Sequence, residues 1–298
     1  MMPAMRKIAA LAGIAALAVP SAALSPAACA QADAPTLELT YTTYTEGFTV
    51  LRLIADLTLT PGGYRIVVHY ETVGTVGFFL PGHDVATADG SWRGDAALPA
   101  EFQTEGDWGG HPFDVIMDYA DGAPVVQRLV PTQADQREPV PAALRGHTID
   151  TASAMALLLH QMIDSGSCDL AARVFDGRRL MAIESRPGGT DTLGPTIRSF
   201  FHGPAIRCDV TGRLLAGFLR SDSPAKRKRV RQGAVWFAHP VAGLPLLPVR
   251  ITFTNRWLGP ATMYLTDVTA GPQPLPSTSA ALVLPHPAAD PPPAQATH

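Results

Sequence analysis

Leu51-Arg52-Leu53-Ile54-Ala55-Asp56-Leu57-Thr58-Leu59 leads through Pro61-Gly62-Gly63 into Tyr64-Arg65-Ile66-Val67-Val68-His69-Tyr70, and this stretch decides the fold class. Its odd positions from 51 to 59 are apolar. Arg52, Asp56 and Thr58 lie between them, with Ile54 the exception. A period of two is the mark of a half-buried strand. Tyr64, Ile66, Val68 and Tyr70 share one face of the next run. Strand, Pro-Gly-Gly turn and strand read as an antiparallel hairpin.

The same signal extends outward. Gly74–Gly77 and Phe78–Leu80 continue the strand pattern up to Pro81-Gly82. Short runs follow at 86–93, 101–108, 113–119 and 125–129, the last two joined by Asp121-Gly122. Pro131 to Arg145 holds three prolines and reads as a crossing loop. The period then changes. Ala152, Met155, Ala156, Leu158, Leu159, Met162 and Ile163 predict a helix over 151–164, with Asp150 as N-cap and Gly166 as C-cap. A helix this apolar, with Leu157 on its far side, is expected between other elements. Strands resume at 171–175 and 178–184 around Asp176-Gly177, a hairpin signal. They continue at 200–201, 206–210, 214–220, 234–238, 249–254 and 262–268, with Thr211-Gly212 read as a turn.

Both ends read as something other than this domain. Arg6-Lys7, the apolar run Ile8–Val19, Pro20 and Ala28-Cys29-Ala30 have the layout of a secretory signal peptide over 1–30, cleaved after Ala30. The rival is a lipoprotein signal at Cys29, but Pro26 stands where such signals usually carry Leu. No later segment is long and apolar enough to span a bilayer, so no transmembrane segment is expected after cleavage. Residues 271–298 contain eight prolines and are expected to be a disordered tail. That leaves 31–270 as a single β-rich domain.

Composition narrows the function classes. The 298 residues carry 23 Lys and Arg against 26 Asp and Glu, a net charge of −3 that argues against a nucleic-acid binder. If Cys29 leaves with the signal, Cys168 and Cys208 remain. Two cysteines in an oxidising compartment are expected to pair, with two buried free thiols as the alternative. No Gly-x-Ser-x-Gly, His-Glu-x-x-His, phosphate loop or dinucleotide fingerprint occurs, so no catalytic residue, metal ligand or cofactor is assigned. His83-Asp84 and His111 read as loop residues. His160 reads as a hydrogen-bonded core residue, and Asp176-Gly177-Arg178-Arg179 as a turn first.

An ordered set of short motifs carries a resemblance. It runs through Tyr41-x-x-Tyr44-x-x-Gly47, Gly63-Tyr64, Thr72-Val73-Gly74, Leu98-Pro99-x-x-Phe102 and Val130-Pro131. It continues with Ile149-Asp150-x-x-Ser153-Ala154, Cys168-x6-Phe175-Asp176-Gly177-Arg178-Arg179 and Cys208, and closes on Leu247-Pro248-Val249-Arg250-Ile251 and Leu258-Gly259. Over most of residues 39–268 the chain resembles the bacterial exported family catalogued as domain of unknown function 3108. The resemblance implies an exported, β-rich periplasmic protein. Its layout is similar to LolA and LolB, the envelope carriers with a half-barrel or β-spiral sheet. The expected fold is therefore mainly β, a large curved antiparallel sheet with one buried α-helix near 151–164.

One exposed feature suggests contact with an anionic surface. Lys226, Arg227, Lys228, Arg229 and Arg231 place five cations in six residues. Behind a signal peptide they suit lipid headgroups, lipopolysaccharide phosphates or an acidic partner, or form a solvated loop. Beneath the Met/Leu helix, either a lipid-holding cavity or a packed core fits the pattern. The expected function is a non-enzymatic periplasmic protein of cell-envelope maintenance that binds a protein, lipid or lipoprotein. The alternatives are a hydrolase acting on envelope polymers and a structural scaffold.

Overall fold

The computed structural model describes residues 36–131, 136–255 and 259–271. The expected leader, Cys29 and nearly all of the tail lie outside them. The chain runs through β1 (Thr36–Thr45), β2 (Phe48–Thr60), β3 (Gly63–Thr72), α1 (Gly74–Phe79), β4 (Gly82–Arg93), β5 (Ala96–Trp108), β6 (Pro112–Ala120) and β7 (Ala123–Val130). A crossing segment with a 3-10 turn at Ala142–Leu144 leads to α2 (Thr151–Ser165). Then come β8 (Leu170–Phe175), β9 (Leu180–Leu193), β10 (Gly203–Ala216), α3 (Pro224–Arg227), β11 (Val230–Ala238), β12 (Leu247–Asn255) and β13 (Gly259–Gly271).

These strands form one antiparallel sheet in the order β7-β6-β5-β4-β3-β2-β1-β13-β12-β11-β10-β9-β8. Every pair of neighbours but one is also consecutive in sequence. The exception is β1 on β13, which joins the two ends of the folded chain. Tight turns set the register. Glu46-Gly47 and Asp121-Gly122 have positive φ at both positions, the geometry that matches the twist of a two-residue hairpin. The period-two faces point inward as the sequence predicts: Leu53, Ala55 and Leu57 of β2 and Tyr64, Ile66 and Val68 of β3 are all buried.

The sheet curls nearly into a barrel, and its edges are drawn together by connections rather than by pairing β7 with β8. Gln136 and Glu138 exchange backbone bonds with Phe218 and Arg220 after β10. The His147 amide donates to the Gly122 carbonyl, and Ile149 pairs in parallel with β8. At the β8–β9 turn, Arg178 donates to the Val130 carbonyl and lies over the Phe113 ring.

Helix α2 forms where the apolar period predicts. Asp150 Oδ1 accepts from the Ser153 amide at 2.8 Å, and Gly166 closes the helix at φ +67°. α2 packs on β3, β4, β5 and β8. Ala152, Ala156, Leu159 and Met162 make its buried face, so side chains fill the space on that side.

Three local expectations are corrected. Residues 74–79 are the short helix α1, not strand. Gly74 takes φ +62°, and a Cβ at Gly77 would lie 2.6 Å from the Thr72 carbonyl oxygen, so the chain folds back too tightly for a strand. Thr211-Gly212 is not a turn. β10 runs straight through it because β9 and β11 pair with it on both sides. β9 in turn continues past Pro187, which sits opposite Cys208 at a register shift, where a strand tolerates proline. Phe200-Phe201 lies in the β9–β10 loop, its backbone turned by the Ser199 hydroxyl, which accepts from the Phe201 amide.

Candidate functional site

The incomplete closure leaves a cleft of about 940 Å³. One wall is Asp169 with the first residues of β8, from Leu170 to Arg173. The other is the β4–β5 turn with the start of β5, from Arg93 to Pro99, together with Tyr119, Asp121 and Gly122 at the β6–β7 turn. Its floor is His147–Ile149 and, from α2, Leu157 and Gln161. The lining mixes apolar surface with charges of both signs.

β8 is only half paired on this side. The Ile149 amide donates to the Arg173 carbonyl at 3.0 Å, and the Phe175 amide donates to the Ile149 carbonyl at 2.9 Å. Along a strand, alternate residues aim their N–H and C=O to the same side. The polar groups of Ala171 therefore also face away from β9 and into the cleft. Among the described residues no backbone group meets them there. Gln161 Oε1 is buried and finds no hydrogen-bond partner among the described residues. His147 holds φ +55°, a left-handed conformation that costs a non-glycine residue about 1–3 kcal/mol.

Behind the cleft lies a largely buried polar network that meets it at Tyr119. The Ser153 hydroxyl donates to Asp150 Oδ2 at 2.6 Å and accepts from the Tyr64 hydroxyl at 2.7 Å. Tyr119 reaches Asp150 Oδ2 at 3.4 Å. Desolvation raises the Asp150 carboxyl above its ordinary range, against the hydrogen bonds from Ser153 that favour its charge. Burial raises the Tyr64 and Tyr119 hydroxyls as well. Beside this network the Trp92 ring tilts over Tyr64 and stacks on His160 at 4.1 Å with 7° between planes. Trp92 Nε1 donates to the Thr60 carbonyl. Sequence reasoning found Asp150 as a cap and His160 as a core residue. It missed Tyr64, Tyr119 and Trp92, whose inward period-two positions mark them as core but say nothing of their partners.

The cysteines are joined. Cys168, between α2 and β8, bonds to Cys208 of β10 with Cα atoms 6.1 Å apart. The basic stretch divides. Lys226, Lys228, Arg229 and Arg231 are exposed. Arg227 instead grips Glu138 with two prongs at 2.6 and 2.9 Å and lies over Phe218. Asp176-Gly177-Arg178-Arg179 is a turn in which Asp176 accepts from the amides of Arg178 and Arg179. His83 and His111 are both exposed and stand apart. His111 lies in the β5–β6 loop as expected, but His83-Asp84 belongs to β4, held extended by pairing with β3 and β5 on both sides. Among the described residues, no three His, Cys, Asp or Glu side chains gather to hold a metal ion, and no helix is long and apolar enough to cross a membrane.

Comparison with solved structures places the fold. The chain is similar to the crystal structure of a β-barrel-like protein of domain of unknown function DUF1849 from Brucella abortus, with a TM-score of 0.51. The match covers 79% of this chain and 98% of that one at 12% identity, so the likeness is one of fold. No curated protein matches the chain. The family model described as protein of unknown function (DUF3108) matches residues 38–266. With that match spanning most of its length, the chain belongs to the DUF3108 family.

Proposed function

We propose that this is a non-enzymatic binding protein of the bacterial envelope, exported to the periplasm, that holds an extended segment of an envelope protein or lipoprotein in the β8 cleft. The observation that carries the reading is the half-paired edge of β8. An exposed strand edge recruits an extended chain through main-chain hydrogen bonds, while flanking pockets read alternate side chains. Ala171 offers an amide and a carbonyl on that edge. Arg93 and Arg173 beside Asp95, Asp121 and Asp169 suit a polypeptide of mixed charge better than an acyl chain.

One further point supports binding over hydrolysis, and another supports export. The Ser153 hydroxyl, 2.6 Å from the Asp150 carboxylate, is fully buried and already bonded to Asp150 and Tyr64. The Cys168–Cys208 bond suits an oxidising compartment.

Hydrogen exchange with a probe peptide tests the reading. Short extended peptides of alternating valine with lysine or glutamate are expected to protect the Ala171 and Arg173 amides. Ala171→Pro, which removes the outward N–H, is expected to abolish that protection while the melting temperature reports that the fold survives. No protection by any such peptide, together with an acyl species retained in native mass spectrometry, overturns the peptide reading in favour of a lipid.

A further inference from the structure

The strand order fixes which connections share an end of the sheet. The β1–β2 turn, α1 and the β10–β11 connection all lie at one end, because β1, β3 and β10 run toward it and β2, β4 and β11 run from it. That end carries an unusual apolar knob. Phe78 is 81% exposed and Phe79 is 78% exposed, and Leu80 after them and Phe48 at the start of β2 are also exposed. Single exposed apolar residues are ordinary, but a cluster of this kind marks a contact surface.

The knob is built. The Phe78 and Phe79 rings meet edge to face at 5.1 Å. The Leu80 amide closes the turn on the Val76 carbonyl at 2.7 Å. The Thr72 hydroxyl donates to the Leu80 carbonyl at 3.0 Å and accepts from the Gly82 amide at 2.8 Å, which pins both ends of the projection. Two aromatic rings are thus held outward before any partner arrives, so little order remains to be imposed on contact.

The same end carries cations without counter-ions. Lys226, Lys228 and Arg229 are exposed and make no ion pair among the described residues, whereas Arg227 is held by Glu138. From β3 to β11 the sheet takes five inter-strand steps, roughly 24 Å along its arc. Phe48 at the start of β2 stands between. The pattern is two separated feet on one rim, one aromatic and one cationic.

We propose that this rim docks on an anionic phospholipid bilayer, with Phe78 and Phe79 entering the headgroup region and Lys226, Lys228 and Arg229 meeting lipid phosphates. Charge complementarity selects an anionic surface. The convex aromatic knob selects a deformable one, since aromatic side chains favour the membrane interface and need no preformed pocket there. This docking is independent of the β8 cleft, which opens at the end of the sheet where the β4–β5 and β6–β7 turns lie.

Vesicle co-sedimentation of the protein recovered from an exporting host tests it. The protein is expected to sediment with vesicles of phosphatidylethanolamine and phosphatidylglycerol and to remain in solution with phosphatidylcholine alone. The triple variant Lys226→Gln, Lys228→Gln, Arg229→Gln is expected to weaken partitioning about fivefold per cation removed. Raised salt should weaken the wild type toward the same level. Phe78→Ser with Phe79→Ser is expected to lose sedimentation while keeping the melting temperature, since neither ring is part of the core. Phe79→Trp should be quenched by brominated acyl chains. Failure to sediment with anionic vesicles, or sedimentation that neither set of variants alters, overturns the proposal and leaves the rim as a surface for a protein.

Discussion

Arg227 and Glu138 form a two-pronged ion pair that ties the β10–β11 connection to the segment crossing from β7 to α2. Nη1 meets Oε2 at 2.9 Å and Nη2 meets Oε1 at 2.6 Å. Two parallel N–H bonds to a carboxylate add geometric definition that a single contact lacks. The pair holds the Glu138 carboxyl below the usual glutamate range, chiefly through the hydrogen bond from Arg227. A lowered acid stabilises the fold above its unfolded value and loses that contribution as pH falls through its folded value. Arg227→Ala is therefore expected to lower the melting temperature at neutral pH, with the deficit shrinking as pH drops below about 4. A double-mutant cycle with Glu138→Ala should show non-additivity at pH 7 and none in acid.

Asp150 gives the opposite sign. Its carboxyl is raised above the ordinary aspartate value of 3.8 by desolvation. A raised acid stabilises fully below its unfolded value and loses that contribution as pH rises through its folded value. The stability of the wild type relative to Asp150→Asn should therefore fall as pH climbs from about 4, as measured by denaturant titration across a pH series. Asp150→Ala should cost more than Asp150→Asn at every pH. It forfeits a cap worth about 1 kcal/mol and leaves buried partners unsatisfied at about 1–3 kcal/mol.

Gly90 is where β4 must let Tyr64 pass. A Cβ there would lie 2.4 Å from the Tyr64 hydroxyl oxygen and 2.7 Å from the Leu98 carbonyl oxygen. Gly90→Ala is expected to destabilise by about 1–3 kcal/mol through overpacking. It should also break the bond from Tyr64 to Ser153. Tyr64→Phe keeps the ring and removes only the hydroxyl, so comparing the two by chemical denaturation separates the clash from the lost hydrogen bond.

Met162 is fully buried on α2, with its sulfur 3.8 Å from Cys208 Sγ. Met162→Ala is expected to cost about 2–5 kcal/mol, because the rigid sheet around it leaves a cavity. Guanidinium unfolding should show the midpoint falling while the slope stays constant.

Reducing Cys168–Cys208 opens a loop of sequence separation 40. Loop-entropy reasoning gives about 4 kcal/mol of lost stability. Reductant should lower the melting temperature of the wild type and leave Cys168→Ser, Cys208→Ser unchanged. Peptide mapping without reductant should recover the crosslinked pair.

The sequence by itself determined the elements whose cause is local. Alternation along Leu51–Leu59 and Tyr64–Tyr70 made β2 and β3, because side chains two apart share a strand face. The apolar period from Ala152 to Ile163, between Asp150 and Gly166, made α2 and its caps. Asp-Gly at 121–122 and at 176–177 made turns. Two cysteines left in the mature chain pointed to a bonded pair, and Cys168 and Cys208 are joined. Tertiary structure alone decided what depends on neighbours distant in the chain. Thr211-Gly212 reads as a turn in isolation, yet stays extended because β9 and β11 bond to it on both sides. Phe78 and Phe79 read as strand, yet turn outward because Gly74 and Thr72 fold the chain back beneath them. Arg227 belongs to a run of cations by sequence, but Glu138 claims it across 89 residues. The β8 cleft exists only because the curling sheet is closed by crossing segments that stop short of Ala171. Local periodicity is written by side chains two to four residues apart. Where two sheet edges meet is written by the sum of twist and packing over the whole barrel.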